Sequence, residues 1–349
     1  MRPIKNMLVT GGCGFIGSAF IRYLFRSPDF AGRVINLDAL TYAANPDNVL
    51  GFVDESRYAF VHGDIGDAEL LTALHVEHGI DTIVHFAAES HVDRSIHGPG
   101  VFIQTNVVGT YQLLELVRAN PSIHLHHVST DEVYGSLGDS GLFSESSPYQ
   151  PNSPYAASKA ASDHLVRAYA HTFGISTSVS NCSNNYGPYQ FPEKLIPLMI
   201  LNLQEGKPLP VYGDGLNVRD WLYVDDHAEA IWAILARGMP GRTYNVGGET
   251  ERTNLELVYQ LIDHYAELTG ANVADLRGRI KFVADRPGHD LRYAIDCCRI
   301  KNELGWRQQH SLESGLRETV GWYLEHCEWV ERVRSGAYRE WIEKNYGER

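Results

Sequence analysis

Met7-Leu8-Val9-Thr10-Gly11-Gly12-Cys13-Gly14-Phe15-Ile16-Gly17 begins as an apolar run of strand length and ends in glycine-rich sequence. From Phe15 to Arg26 the apolar residues recur at helical spacing, so the stretch reads as strand, tight turn, helix. Each glycine has a physical task in such a unit. Gly11 permits the turn, Gly14 lets backbone approach a pyrophosphate, and Gly17 allows the helix to pack close to the strand. Phe15 and Ile16 open the helix, whose first N–H groups face the phosphate. Asp38 ends the next apolar run about 20 residues on, where a carboxylate accepts hydrogen bonds from the adenine ribose hydroxyls and repels a 2′-phosphate. That combination selects NAD over NADP.

Outward from this unit, strand-length runs alternate with helical patterns. Strands are expected at 34–38, 58–62, 82–86, 125–129 and 177–181, and helices at 68–78, 101–120 and 154–173. This is the pattern of βαβ units, so the expected fold class is α/β, a Rossmann-type doubly wound parallel sheet. Ligands lie outside the carboxyl ends of strands in such sheets, which adds Asp64-Ile65 and Ala87-Ala88-Glu89-Ser90 to the candidate site. After Asn185 the pattern breaks into Gly-, Pro- and aromatic-rich segments, with a helix at 224–237 and extended stretches at 243–248, 279–285 and 290–296. We therefore expect an NAD-binding domain over 1–185 and a smaller mixed α/β C-terminal substrate lobe over 186–349, with a soft boundary and elements free to interleave.

The 349 residues are 44% hydrophobic and 21% charged with net charge -13, an ordinary balance for a globular protein and a poor one for nucleic-acid or anionic-membrane binding. No apolar run reaches the ~18 residues of a membrane span. The N-terminus has no secretory pattern and the five cysteines have no metal-ligand spacing, so they are expected as reduced thiols in a cytoplasmic protein. The 16 histidines, including His85, His91, His126 and His127, are expected as strand-end or surface residues, and no metal site is predicted.

Two further motifs carry chemistry. Tyr155 and Lys159 are one helical turn apart and share a helix face. A cation there is expected to lower the phenol's pKa and make it a base near neutral pH. Upstream, Ser129-Thr130-Asp131-Glu132 offers a second acid and base. Consecutive side chains on a strand point to opposite faces, so the backbone must leave β geometry at Thr130 for both carboxyls to reach one substrate. Burial and the adjacent Glu132 would both keep Asp131 protonated.

With the glycine loop, Tyr155 and Lys159 resemble the extended short-chain dehydrogenase/reductases that act on nucleotide sugars. Thr130-Asp131-Glu132-Val133-Tyr134-Gly135, His91-Val92-Asp93-Arg94-Ser95, Asn184-Asn185-Tyr186-Gly187-Pro188-Tyr189-Gln190 and Arg286-Pro287-Gly288-His289-Asp290 closely resemble the dTDP-glucose 4,6-dehydratases among them. The resemblance covers nearly the whole chain. It implies oxidation of the hexose at C4, which acidifies the C5 hydrogen, then loss of water across C5 and C6 and return of hydride to C6. Tyr155 would take the C4 hydroxyl proton while Thr130 holds that oxygen. Lys159 would hold the nicotinamide ribose, Glu132 would remove the C5 proton, and Asp131 would protonate the departing C6 hydroxyl. Thr105, Ser129 and Asn185 join the implied cofactor contacts.

For the nucleoside-diphosphate sugar the resemblance implies Ser90, Asn184, Lys194, Leu195, Arg219, Asn254, Arg286 and His289. Pro210 and Tyr212 would line the base pocket. Arg219 is expected in an irregular segment suited to bidentate phosphate binding. Helices 101–120 and 154–173 are apolar on more than one face, which suggests a homodimer through a four-helix interface, as in the family. Three alternatives share the fold: a UDP-sugar 4-epimerase, a 4,6-dehydratase acting on UDP-glucose, and a UDP-glucuronate decarboxylase. An epimerase needs no second acid, so Asp131 is the discriminating residue. A non-catalytic NAD(H)-binding regulator would be expected to lack Tyr155 or Lys159.

Overall fold

Successive apolar runs joined by helices leave a parallel sheet as the economical way to bury both strand faces. The computed structural model describes residues 4–334 and has this arrangement. Strands β1 (Asn6–Thr10), β2 (Arg33–Asp38), β3 (Tyr58–His62), β4 (Thr82–His85), β5 (His124–Thr130) and β6 (Ser176–Cys182) belong to a seven-stranded sheet. Helices α1 (Phe15–Arg26) and α2 (Ala68–His78) connect the first of them. Spatial order reverses around β1, with β2 and β3 on one side and β4, β5 and β6 on the other. Asp67 caps α2 by accepting from Leu70 N, and Gly79, with φ 60, ends it in the left-handed conformation.

The predicted helix at 101–120 is not continuous. The structure has α3 (Val92–His97), α4 (Pro99–Phe102), a π-helical stretch Ile103–Gly109, and then α5 (Thr110–Ala119). A Cβ at Gly109 would lie 2.5 Å from Ile65 Cδ1, so the glycine permits a close approach here. Asn106, in the widened turn, accepts from Glu89 N and donates to Glu89 O and Ser158 Oγ. The bulge thus anchors the end of β4 against α6 (Pro154–Phe173). Amphipathic spacing could not reveal it, because π and α turns expose similar faces.

Strand β5 is buried along its whole length although it contains three histidines. Its partner β6 supplies hydroxyls in register: His126 meets Ser178 and Ser180, and His124 meets Ser176 and Ser178, at 2.8–3.1 Å. Burial holds His126 neutral, and serines engage both of its ring nitrogens. His85, His126 and His127 are therefore interior groups rather than surface ones. Among the described residues, no cluster of three His, Cys, Asp or Glu side chains could hold a metal.

Beyond β6 the chain forms β7 (Asn184–Tyr186), α7 (Leu195–Gln204), β8 (Leu209–Tyr212), β9 (Val218–Tyr223), α8 (Val224–Arg237), β10 (Thr243–Val246), β11 (Glu251–Thr253), α9 (Asn254–Thr269) and β12 (Ile280–Val283). Strands β7, β9 and β11 make a small sheet, and β8 pairs with β12. Tyr186, Ile196, Leu257, Leu261, Leu316 and Trp329 share one apolar cluster there. Yet β10 returns to pair with β6, and α8 packs on the first sheet against α1 through Ala228, Ile231 and Trp232. A cut at residue 186 does not separate the large sheet from everything that follows. The expected strand at 290–296 reduces to isolated bridges that tie Arg292 and Ile295 to Leu137, Phe143 and Val218. No described helix is long and apolar enough to cross a membrane.

Candidate active site

The carboxyl ends of β1, β2, β4, β5 and β6 open onto one cleft. At the glycine loop, a Cβ on Gly17 would lie 2.3 Å from Gly11 O, and one on Gly11 would lie 2.6 Å from Ala87 N. The helix end and the strand turn are therefore in direct backbone contact, and Gly11 takes a left-handed φ of 71. Asp38 accepts from Cys13 N at 2.9 Å and Leu40 N at 2.8 Å, and burial raises its pKa against those two bonds. Its carboxylate lines the cleft with Gly14, Phe15, Ile16 and Gly17. The backbone cradle and the acceptor beyond it fit a dinucleotide. Gly17→Ala is expected to remove bound NAD and lower the melting temperature, because the added methyl displaces backbone rather than a flexible side chain; dinucleotide content and thermal unfolding check both.

At the end of β5 the backbone changes conformation within one residue. Thr130 is extended, and its side-chain oxygen accepts from Glu132 N at 3.3 Å, which caps a 3-10 turn over Asp131–Tyr134. Gly135 closes the turn at φ 89, where a Cβ would lie 2.4 Å from Gln150 O. The turn breaks strand alternation, and both Asp131 and Glu132 line the same cleft. Asp131 is 1% exposed, and its Oδ2 is buried with no hydrogen-bond partner. Burial first, then the charges of Glu132 and Asp220, push its carboxyl well above the usual range. Glu132 is raised by burial too, but Arg286, Arg219 and Lys194 oppose the shift. Both carboxyls are raised, Asp131 the more strongly, because three cations offset part of the shift at Glu132 alone; an unequal pair of this kind suits paired acid and base chemistry.

Ser153 caps α6 by accepting from Ala156 N, and Pro154 occupies its first turn. Tyr155 and Lys159 then project from one face into the cleft. Contrary to expectation, the Tyr155 phenol is raised rather than lowered here. Burial pushes the phenol well up, Glu132 adds to the shift, and a hydrogen bond with Thr130 opposes it. Lys159 donates to Val128 O at 2.8 Å and lies 3.3 Å from His127 Nε2, which fixes its ammonium beside β5 at the edge of the cleft. Behind it, Asp163 accepts from Ser129 at 2.8 Å and Tyr149 at 3.0 Å, and burial raises it to about 6.

Similarity to known proteins follows the same lines. A family model described as GDP-mannose 4,6 dehydratase matches residues 8–319. A dTDP-glucose 4,6-dehydratase from Escherichia coli is 51% identical, over 98% of this chain and 99% of its own. The chain belongs to the dTDP-glucose 4,6-dehydratase family. The solved Streptomyces venezuelae member, with NAD and TYD bound, is 51% identical with TM-score 0.87, over 94% of this chain and 99% of that one. A UDP-glucose 4-epimerase from Thermotoga maritima, solved with UDP-glucose, shares the fold at TM-score 0.83 but only 27% identity, over 92% of this chain and 99% of that one.

Relative to this family's reaction, the candidate residues fall into two groups. Asp64, Ile65, Ala87, Ala88, Ser90, Thr105, Ser129, Asn184, Asn185 and Lys194 line the cleft with the acids, Tyr155 and Lys159. Leu195, Pro210, Tyr212, Arg219, Asn254, Arg286 and His289 lie outside that lining. Two of these are joined at Asp93: Tyr212 donates to its Oδ2 at 3.2 Å, and Arg286 lies 3.6 Å from Oδ1. His289, with its ring 6.2 Å from Tyr212, is lowered to about 4 by burial and by Arg286. Arg219 lies within β9 rather than an irregular segment, because the run Val218–Tyr223 is almost wholly buried. Its guanidinium donates to Val218 O and Asp290 O and sits 4.4 Å from the centre of the Tyr293 ring. The sequence reading missed the interior set Asn106, His127 and Asp163, and also Glu193. The visible signal for the last was a charged pair, Glu193-Lys194, closing the aromatic run that begins at Tyr186.

Proposed function

We propose that the chain removes water from dTDP-glucose with NAD, giving dTDP-4-keto-6-deoxyglucose, a hydro-lyase step of deoxysugar biosynthesis. The observation that carries this reading is the pair Asp131 and Glu132 facing one cleft with Tyr155, with Asp131 the more strongly held in its protonated form. An epimerase has no use for that second pair.

When bound, NAD would supply a hydride acceptor for C4 and a hydride donor for C6. Gly11, Gly14, Gly17 and Asp38 would hold its adenosine diphosphate half, and Lys159 would hold the nicotinamide ribose. Tyr155 takes the C4 hydroxyl proton and Thr130 positions that oxygen. The C4 carbonyl acidifies C5, and Glu132 removes its proton. Asp131 gives its proton to the C6 hydroxyl, which leaves as water. A carboxyl of the same pair then returns a proton to C5. Lys194, Arg219, Arg286 and His289 are assigned to the diphosphate, and Tyr212 and Pro210 to the base.

The proposed organisation is a homodimer in the cytoplasm, with a nucleotide-sugar lobe formed mainly by residues after 185. Exposed Val101, Ile103, Tyr111 and Phe173 on the 92–119 and α6 helices support pairing through a four-helix interface. Incubation with dTDP-glucose and, separately, UDP-glucose tests the function. The 4-keto product is expected from the thymidine substrate and is read by its alkaline absorbance. Conversion of neither sugar would end the proposal, and preference for UDP-glucose would transfer it to the uridine branch.

A further inference from the structure

Three segments far apart in the chain meet at Glu193, on the wall of the cofactor cleft. Its carboxylate is 5% exposed. Tyr42 donates to Oε1 at 2.9 Å and Arg94 Nε donates to Oε2 at 3.2 Å. The Arg94 guanidinium also lies 3.7 Å from the centre of the Tyr42 ring, and Phe191 meets that ring edge-on at 5.7 Å. His91 Nε2 is 3.9 Å from the carboxylate, but burial keeps the imidazole neutral, so Arg94 carries the paired charge.

Tyr42 belongs to a short stretch that follows Asp38. Its neighbours Thr41, Ala43 and Ala44 line the cleft beside the glycine loop. The stretch is tied at one end by Leu40 N to Asp38 Oδ1, at 2.8 Å, and at the other by Asn45 N to Cys13 O, at 2.9 Å. Between these ties, Tyr42 reaches out of the stretch to Glu193, 151 residues away in sequence. Glu193 is the buried partner of this ion pair and Arg94 is partly exposed, and such a pair is a poor source of net stability because desolvating the carboxylate offsets much of the attraction. It does fix geometry, since breaking either partner leaves an unpaired charge.

We propose that Glu193, Arg94 and Tyr42 act as a latch that holds residues 39–45 against the bound dinucleotide, so that the enzyme keeps its cofactor from one turnover to the next. The inference rests on the NAD reading above. In that cycle the dinucleotide is reduced and reoxidised on the same sugar, so retention costs the reaction nothing. Glu193 lines the cleft, and Tyr42 and Arg94 hold its carboxylate in place. They position the wall of the cofactor site.

The test uses the holoenzyme and two conservative variants. Tyr42→Phe removes one hydroxyl and keeps the ring beneath Arg94; Glu193→Gln removes the charge and keeps the shape. The readout is the rate at which dinucleotide is lost on dilution into a trap, with turnover measured with and without added NAD. Tyr42→Phe is expected to release dinucleotide on the order of tenfold faster, as for a lost hydrogen bond to a charged group. Glu193→Gln is expected to release it faster still, and saturating NAD is expected to recover turnover in both. Should Glu193→Gln fail to fold, Tyr42→Phe alone decides. Loss at the parental rate in the folded variants, or a turnover defect that added NAD does not repair, overturns the latch. A parental protein that binds no dinucleotide sinks the functional reading and the latch with it, whereas parental retention with unchanged variants sinks the latch alone.

Discussion

Asp131→Asn is expected to oxidise C4 and then stall, with near-ultraviolet absorbance of reduced dinucleotide building up and little 4-keto-6-deoxy product. Asparagine keeps the size of the side chain and loses the proton that the C6 hydroxyl needs in order to leave. General-acid assistance of this kind contributes about 10²–10⁴-fold, so product formation should fall by about that factor. Burial and the neighbouring Glu132 hold Asp131 well above the ordinary carboxylate range, so its acid form persists through neutral pH. In the parental enzyme the rate should therefore fall on the alkaline side, as that proton is lost, and Asp131→Asn should lack this limb. Rapid-scan absorbance with product assay across pH makes the comparison. Water elimination by the variant at the parental rate would remove Asp131 from the role of acid.

Tyr155→Phe should block the cycle one step earlier. The ring still fits a site where Phe102 packs at 6.4 Å between ring centres, so the fold is expected to hold. Without the phenol oxygen the C4 proton has no acceptor, and neither reduced dinucleotide nor product should appear above about 10⁻³ of the parental rate. The two variants thus separate the half-reactions: one accumulates reduced cofactor and the other does not. Rapid reduction in Tyr155→Phe would mean that another group lining the cleft, such as Glu132, takes that proton.

The first strand, the glycine loop and its helix were legible from sequence because their signals are local. A glycine that must touch backbone, as Gly17 does with Gly11, cannot be disguised by distant contacts. Helical period likewise located α1, α2, α6 and α8 to the residue. It failed at 101–120, where the π-stretch depends on Asn106 meeting Glu89 and Ser158 from other elements.

Within the candidate site, sequence spacing alone put Tyr155 and Lys159 on one helical face, and residue chemistry alone suggested an acid beside a base. Folding decided what those groups experience. The capped turn after Thr130 aims both carboxyls into one cleft, and the cations Arg286, Arg219 and Lys194 set Glu132 apart from Asp131. Parallel pairing with β6 surrounds His124 and His126 with serines, Lys159 is fixed by Val128 and His127, and burial raises the Tyr155 phenol. Glu193 carried no expectation from sequence, and Tyr42 and Arg94 close around it only in the fold. Bonding geometry along a chain is written in neighbouring residues; desolvation and charge pairing belong to whatever the fold brings alongside.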